Sequence, residues 1–130
     1  MKLRIENWIE NNNFSEDVNV LFTDAVTCYK ARANRASLLF SYLAFLTILK
    51  ERIIEGTKPN LFPQGEWDKL ISKLQNEDLW EANVFDATQQ QEKIDQATKQ
   101  RIKDPIFSLN DNLRLQIKYW KDRRNDCAHY

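Results

Sequence analysis

The scarcity of turn-forming residues constrains the fold of this chain more than any other feature. Only 2 glycines and 3 prolines occur among its 130 residues. A sheet of many short strands needs a turn signal every few residues, whereas long helices need few such signals. Hydrophobic residues make up 42% of the chain, which is enough for one domain with its own core. The sequence therefore predicts a single all-α domain over residues 1–130.

The longest apolar pattern predicts long helical structure over residues 15–55, in a domain whose fold is expected to be an antiparallel helical bundle. Apolar and small residues recur at steps of three and four from Phe22 to Thr47, which is the period of one helix face. Polar residues crowd positions 32–35, so the pattern fits one long helix or two nearly collinear helices that break there. Ser15 is the expected N-cap. The uncharged residues 36–49 are fewer than the roughly 20 that a membrane-spanning helix needs, so no contact with a membrane is expected.

Shorter segments follow these two helices. Residues 57–65 hold two of the three prolines and predict a loop, after which a short helix is expected over residues 66–75. Residues 86–104 are rich in Gln and Lys and predict a polar surface segment. Ser108 and Asp111 resemble a capping box, so a last helix is expected to begin near Ser108. Its apolar positions are Leu109, Leu113, Ile117 and Trp120.

Charge and cysteine content limit the classes of function. The formal net charge is zero, so any contact with nucleic acid must come from a local patch. Cys28 and Cys127 lie far apart and His129 is the only histidine, so neither a metal site nor a cofactor is expected. Two reduced thiols and an N-terminus without a signal-peptide hydrophobic region predict a cytoplasmic protein.

The end of the last helix carries the candidate catalytic residues. Arg124 occupies a position that the preceding apolar pattern assigns to a hydrophobic side chain, and Asn125 and His129 are four residues apart, so on a helix they share a face. Arginine binds phosphate, and histidine exchanges a proton near neutral pH. Asparagine donates to a phosphate oxygen or fixes the histidine tautomer. Together these groups suit attack of an RNA 2′-hydroxyl on the adjacent phosphate.

The same helix carries basic side chains that are candidates for binding the RNA backbone. They are Arg114, Lys118, Lys121 and Arg123. A basic stripe on a neutral protein is typical of phosphate binding, although lysines and arginines late in a helix also suit its dipole. One histidine can hardly act as both base and acid on opposite sides of an in-line displacement. The mechanism therefore predicts a homodimer in which two copies each supply a histidine and an arginine.

The segment RNDCAH, from Arg124 to His129, resembles the signature of the HEPN superfamily (higher eukaryotes and prokaryotes nucleotide-binding domains). These domains are all-α bundles with an arginine and, a few residues later, a histidine on a late helix. A polar residue, often asparagine, follows the arginine, as Asn125 does here. The resemblance extends to the expected architecture of two long helices, a variable middle and a late helix that bears the motif.

This resemblance implies a metal-independent endoribonuclease of a toxin–antitoxin, abortive-infection or antiviral defence system. Its active site would be composite, formed where two motif helices meet in a dimer. Arg124 would bind and polarise the phosphate, His129 would be the acid–base group and Asn125 would orient one or both. An antitoxin or another partner protein would then be expected. Family members usually continue past the motif, so the resemblance implies either a fragment of a longer protein or a motif at a frayed terminus.

Two alternatives stay open at the level of sequence. Some members of this superfamily have lost catalysis, which would make the chain a nucleotide-binding or protein-interaction module. In the other alternative the motif is coincidental. Arg124 then pairs with an acidic residue such as Glu51 or Asp24, Asn125 caps the helix C-terminus and His129 interacts with the helix dipole.

Overall fold

The computed structural model describes residues 2–128, and within them the fold is all-α, as the sequence predicts. A small antiparallel hairpin of strands β1 (Lys93–Ile94) and β2 (Arg101–Lys103) separates the last two helices along the chain. The described helices are α1 (Arg4–Asn11), α2 (Glu16–Lys30), α3 (Asn34–Glu55), α4 (Gln64–Leu74), α5 (Trp80–Gln89) and α6 (Asp111–Ala128). None of these helices combines the length and the apolarity that crossing a bilayer requires.

Contacts between residues divide the described chain into two compact units, where the sequence analysis treats residues 1–130 as one domain. The first unit contains residues 2–48 and 118–128, and the second contains residues 49–117. Both α3 and α6 therefore contribute residues to each unit.

Two helices, not one, form the long apolar segment of the first unit. Ser15 caps α2 as expected, because its Oγ accepts a hydrogen bond from the backbone N–H of Val18 at 3.3 Å. After Lys30, Arg32 adopts a φ of 64°. This left-handed conformation cannot continue a right-handed helix, so α2 ends before it and α3 begins two residues later. The break falls at the polar stretch where the sequence places it.

The returning helix packs antiparallel against α2, so the two helices are not the nearly collinear pair that the sequence analysis allows. The hydroxyl of Ser37 donates to the carbonyl oxygen of Ala25 at 2.7 Å, and Ala44, further along α3, packs with Val18 and Phe22, which come earlier on α2. As the chain advances along α3, its contacts move backwards along α2. The small side chain of Ala44, which is fully buried, allows the two helices to approach closely at this point.

Aromatic contacts and an ion pair hold α1 to this hairpin. The ring of Trp8 lies 5.3 Å from that of Phe14 and 5.9 Å from that of Phe22, measured between centroids. The ammonium group of Lys30 lies 2.6 Å from a carboxylate oxygen of Glu6. That hydrogen bond, assisted by the backbone N–H of Leu3, holds the pKa of Glu6 below its ordinary value against the opposing effect of desolvation.

In the second unit, α5 extends into the segment that the sequence assigns to a polar surface from residue 86. Ala87 and Thr88 are buried, and the Thr88 hydroxyl donates to the carbonyl oxygen of Phe85 at 2.6 Å. A threonine whose hydroxyl bonds within its own helix can be buried at little cost. A mostly exposed stretch instead begins at Gln91 and includes most of the β1–β2 hairpin.

The last helix begins later than the capping-box pattern predicts. The side-chain Oδ1 of Asn110 accepts a hydrogen bond from the backbone N–H of Leu113 at 2.8 Å, which makes Asn110 the N-cap of α6. Asparagine is among the strongest N-cap residues, so it supersedes Ser108, which lies in the preceding loop. The loop before α4, by contrast, ends two residues earlier than expected, at Pro63, and α4 begins at Gln64 instead of residue 66.

Candidate active site

The packed side of α6 agrees only in part with the apolar positions expected from sequence, because Ile117 is half-buried whereas other apolar positions are exposed. Leu113 and Trp120, two of the positions expected to face the core, are exposed, as are Leu115 and Tyr119. The half-buried positions of the last turns include charged and polar residues that return at steps of three and four. In the part of α6 that belongs to the first unit, they are Lys121, Arg124, Asn125 and Cys127.

Arg124 packs against an aromatic ring of α3. Its guanidinium carbon, Cζ, lies 5.0 Å from the centroid of the Tyr42 ring, and its Nε atom is buried. The Tyr42 side chain is only 5% exposed, so the surrounding helices hold the ring in place. A cation above the face of an aromatic ring is attracted by the electron density of that face. The ring therefore restricts where the guanidinium group can lie.

Asn125 and Lys121 lie next to Arg124 on the packed side of the helix. Lys121 precedes Arg124 by three residues and Asn125 by four, which are the spacings of neighbours on one helix face, and both side chains are half-buried. The structure thus brings together two of the three predicted catalytic residues and one predicted phosphate-binding residue. The third catalytic residue, His129, lies outside the described residues.

The predicted basic residues do not form one continuous stripe. Lys118 is exposed, while Arg123 follows Lys121 by two residues and so points to the other side of the helix. There it forms an ion pair with Asp126 at 2.8 Å and lies over the ring of Tyr119, with its Cζ atom 5.4 Å from the ring centroid. The four basic side chains of residues 118–128 therefore occupy more than one side of α6.

Arg114 belongs to the second unit and is engaged near the beginning of the helix. Its guanidinium group donates to the carboxylate of Asp111 and to the carbonyl oxygen of Leu109, and its side chain is mostly buried. Its own carbonyl oxygen accepts from the side-chain amide of Gln89 at 3.1 Å. These contacts engage Arg114 in holding the N-terminal end of α6 in place.

The sequence analysis does not identify three aromatic residues that lie near the basic side chains of α6 as part of a candidate site. Tyr42 lies on a different helix from the motif, so no local pattern links it to Arg124. Tyr119 and Trp120 sit side by side between Lys118 and Lys121. That interleaving of aromatic and basic residues was a detectable signal, but the period of α6 assigned Trp120 to the core.

Within residues 2–128, no group of three or more His, Cys, Asp or Glu side chains is arranged to hold a metal ion. The chain matches no family model, no curated protein and no solved structure in the three comparisons made with it. Its class is therefore that of an all-α protein, and any function must be argued from its own residues.

Proposed function

We propose that this protein is a metal-independent endoribonuclease of the HEPN type that acts as a homodimer. The observation that carries the proposal is the position of Arg124, a charged group on the packed side of α6 with its guanidinium held over the buried ring of Tyr42. A restrained guanidinium group binds a phosphate with less loss of side-chain entropy than a freely moving one. Asn125 lies beside it in sequence, and His129 follows four residues after Asn125.

The proposed reaction is a transesterification within the RNA strand. One imidazole takes the proton of a 2′-hydroxyl while the 2′-oxygen forms a bond to the adjacent phosphorus atom. The bond between phosphorus and the 5′-oxygen breaks, and a second imidazole gives that oxygen a proton. The products are a 2′,3′-cyclic phosphate and a 5′-hydroxyl. Arg124 donates hydrogen bonds to the phosphate oxygens, whose negative charge grows in the transition state.

The two imidazoles come from His129 of two copies of the chain, because each copy contains a single histidine. A twofold axis through the paired ends of α6 places two copies of Arg124 and Asn125 around one phosphate. The proposed setting is the cytoplasm, where a toxin or a defence effector meets RNA. If the protein is a toxin, an antitoxin or another partner protein is expected to neutralise it.

The test is cleavage of a mixed RNA pool by the purified protein in the presence of EDTA. We expect cleavage with cyclic phosphate ends, and a loss of roughly 10²-fold or more in rate for His129→Ala and for Arg124→Ala. The charge-matched control is Arg52→Ala, because Arg52 is exposed on α3. This variant should cleave RNA at the wild-type rate. Activity that survives both motif substitutions would refute the proposal.

A wild-type protein that is folded and dimeric but cleaves no RNA would also refute it. The non-catalytic alternative, a nucleotide-binding or protein-interaction module of the same superfamily, would then be preferred. Saturable nucleotide binding that depends on Arg124 would separate that alternative from a coincidental motif.

A further inference from the structure

Two large aromatic side chains on α6 face away from the protein. Tyr119 is 55% exposed and Trp120 is 49% exposed, and their ring centroids lie 5.2 Å apart with the rings nearly perpendicular. Single exposed apolar residues are ordinary, but adjacent exposed aromatic rings are concentrated at binding surfaces. Together with Lys118 and Arg123, these two rings are called the aromatic surface below.

Basic residues flank the two rings along α6. Lys118 precedes them, and Arg123 lies over Tyr119 with its Cζ atom 5.4 Å from the ring centroid. Residues 118–128 contain four basic and two acidic side chains, although the chain as a whole is neutral. Asp126 forms an ion pair with Arg123, and the segment still has two more basic than acidic side chains. The local excess of positive charge therefore favours a polyanion over a second basic helix.

Proteins that bind single-stranded nucleic acid combine these same two elements. Basic side chains contact the phosphates, and exposed aromatic rings stack on bases that are not paired. Bases within a duplex already stack on each other and offer no free face. Trp120 precedes Arg124 by four residues, about 6 Å along the helix axis, so a nucleotide stacked on Trp120 lies about one turn from the candidate active site.

We propose that the aromatic surface stacks unpaired nucleobases and so selects single-stranded RNA as the substrate. This inference rests on the proposed function, because that function supplies the reason for choosing RNA over another polyanion. It assigns the selection of single-stranded RNA to two residues, Tyr119 and Trp120, which the motif does not include.

The test measures binding of a fluorescent 2′-O-methyl oligoadenylate, which carries no 2′-hydroxyl nucleophile and cannot be cleaved by the proposed reaction. We expect Trp120→Ala and Tyr119→Ala each to weaken binding by about 5- to 150-fold, the range that corresponds to roughly 1–3 kcal/mol per stacked base. Trp120→Phe should retain most of the affinity because it retains an aromatic face. The same oligonucleotide in a duplex should bind more weakly to the wild-type protein.

Tyr29→Ala is the matched control, since Tyr29 is 57% exposed on α2 and lies outside the aromatic surface. Its affinity should equal that of the wild type. Thermal unfolding of each variant reports folding, and Trp120→Phe keeps the test valid if Trp120→Ala does not fold. Unchanged affinity in both Tyr119→Ala and Trp120→Ala would overturn the inference, as would a wild-type protein that binds no oligonucleotide.

A third outcome would identify a different occupant. If Trp120→Ala converts a dimer to a monomer while affinity for the oligonucleotide stays unchanged, the surface is a contact between copies and the inference fails.

Binding and cleavage are measured separately, so the two proposals can fail separately. Binding that depends on Trp120 without cleavage of unmodified RNA supports the aromatic surface and refutes the ribonuclease. Cleavage and oligonucleotide binding that are both indifferent to Trp120 and Tyr119 refute the aromatic surface alone.

Discussion

Arg124 carries a full charge into a half-buried position, and the ring of Tyr42 offsets part of the cost of removing that charge from water. An attraction between a cation and an aromatic face contributes roughly 0.5–2 kcal/mol, with the larger values at desolvated sites. The separation of 5.0 Å between Cζ and the ring centroid lies inside the effective range of about 6 Å. The contact is therefore strong enough to affect both the stability and the orientation of the side chain.

Substitution of Tyr42 should show that its ring, and not its hydroxyl group, positions Arg124. We expect Tyr42→Leu to lower the free energy of unfolding by about 1–3 kcal/mol and to shift the Nε–H resonance of Arg124, because the ring current is lost. Tyr42→Phe should keep that resonance near its wild-type position. A double-mutant cycle with Arg124→Gln should give a coupling energy of roughly 0.5–2 kcal/mol.

The resonance and the coupling energy separate a positioning role from a general effect on packing. A coupling energy near zero, or the same resonance in Tyr42→Leu as in the wild type, would contradict the prediction. Neither readout depends on whether the protein cleaves RNA, so the result stands apart from the proposed function.

Among single residues, Arg124 could be identified from the sequence because a charged residue occupies a position where an apolar one is expected. It could not identify Tyr42, since the contact joins α3 and α6 and no local period encodes such a pairing. The sequence did not predict that Tyr119 and Trp120 are exposed, for a related reason. Which side of an amphipathic helix is buried depends on what the rest of the chain places against it.

At the level of the helices, two substitutions test whether Asn110 or Ser108 caps the N-terminus of α6. Asn110→Ala removes the side-chain oxygen that accepts from the Leu113 N–H and should cost about 0.5–2 kcal/mol of unfolding free energy. Ser108→Ala should change stability by no more than roughly 0.5 kcal/mol, since Ser108 is an exposed loop residue. Chemical denaturation measures both. A larger loss for Ser108→Ala than for Asn110→Ala would favour the capping box inferred from sequence.

The attachment of α1 to α2 should depend on pH through Glu6 and Lys30. The pKa of Glu6 is lowered in the folded state by the hydrogen bond from Lys30, so folding favours the carboxylate. The resulting stabilisation is present above the unfolded pKa, about 4.3, and is lost as the pH falls through the folded pKa. Glu6→Gln should therefore lower the Tm at neutral pH, and the difference from the wild type should shrink at about pH 3.

Glu55→Gln provides the control for this pH dependence, because Glu55 is exposed at the end of α3. Its Tm difference from the wild type should change little between the two pH values. A Glu6→Gln difference that grows as the pH falls would contradict the assigned direction of the pKa shift.

The sequence predicted these elements well where a local signal determines the boundary. Ser15 caps α2 as expected, and the polar residues after Lys30 mark a true break, because Arg32 leaves the helical conformation there. Prediction was poorer over residues 86–104, where a polar composition hid both the end of α5 and a short hairpin. Two strands of two and three residues are too short to show an alternating pattern.

For the whole molecule, the proposed mechanism requires two copies of His129 at one active site, which predicts how activity responds to mixed dimers. Wild-type protein and His129→Ala, unfolded together and refolded, should assort into dimers at random. With equal amounts of the two chains, about one quarter of the dimers contain two wild-type copies. The cleavage rate per total protein should therefore fall to about one quarter of the wild-type rate, whereas independent monomers would give about one half.

Tyr29→Ala mixed with the wild type in the same way should leave the rate unchanged, since this exposed residue of α2 takes no part in the site. A rate that falls only in proportion to the wild-type fraction would show that one histidine is enough, and the composite dimer site would have to be abandoned even if the protein cleaves RNA.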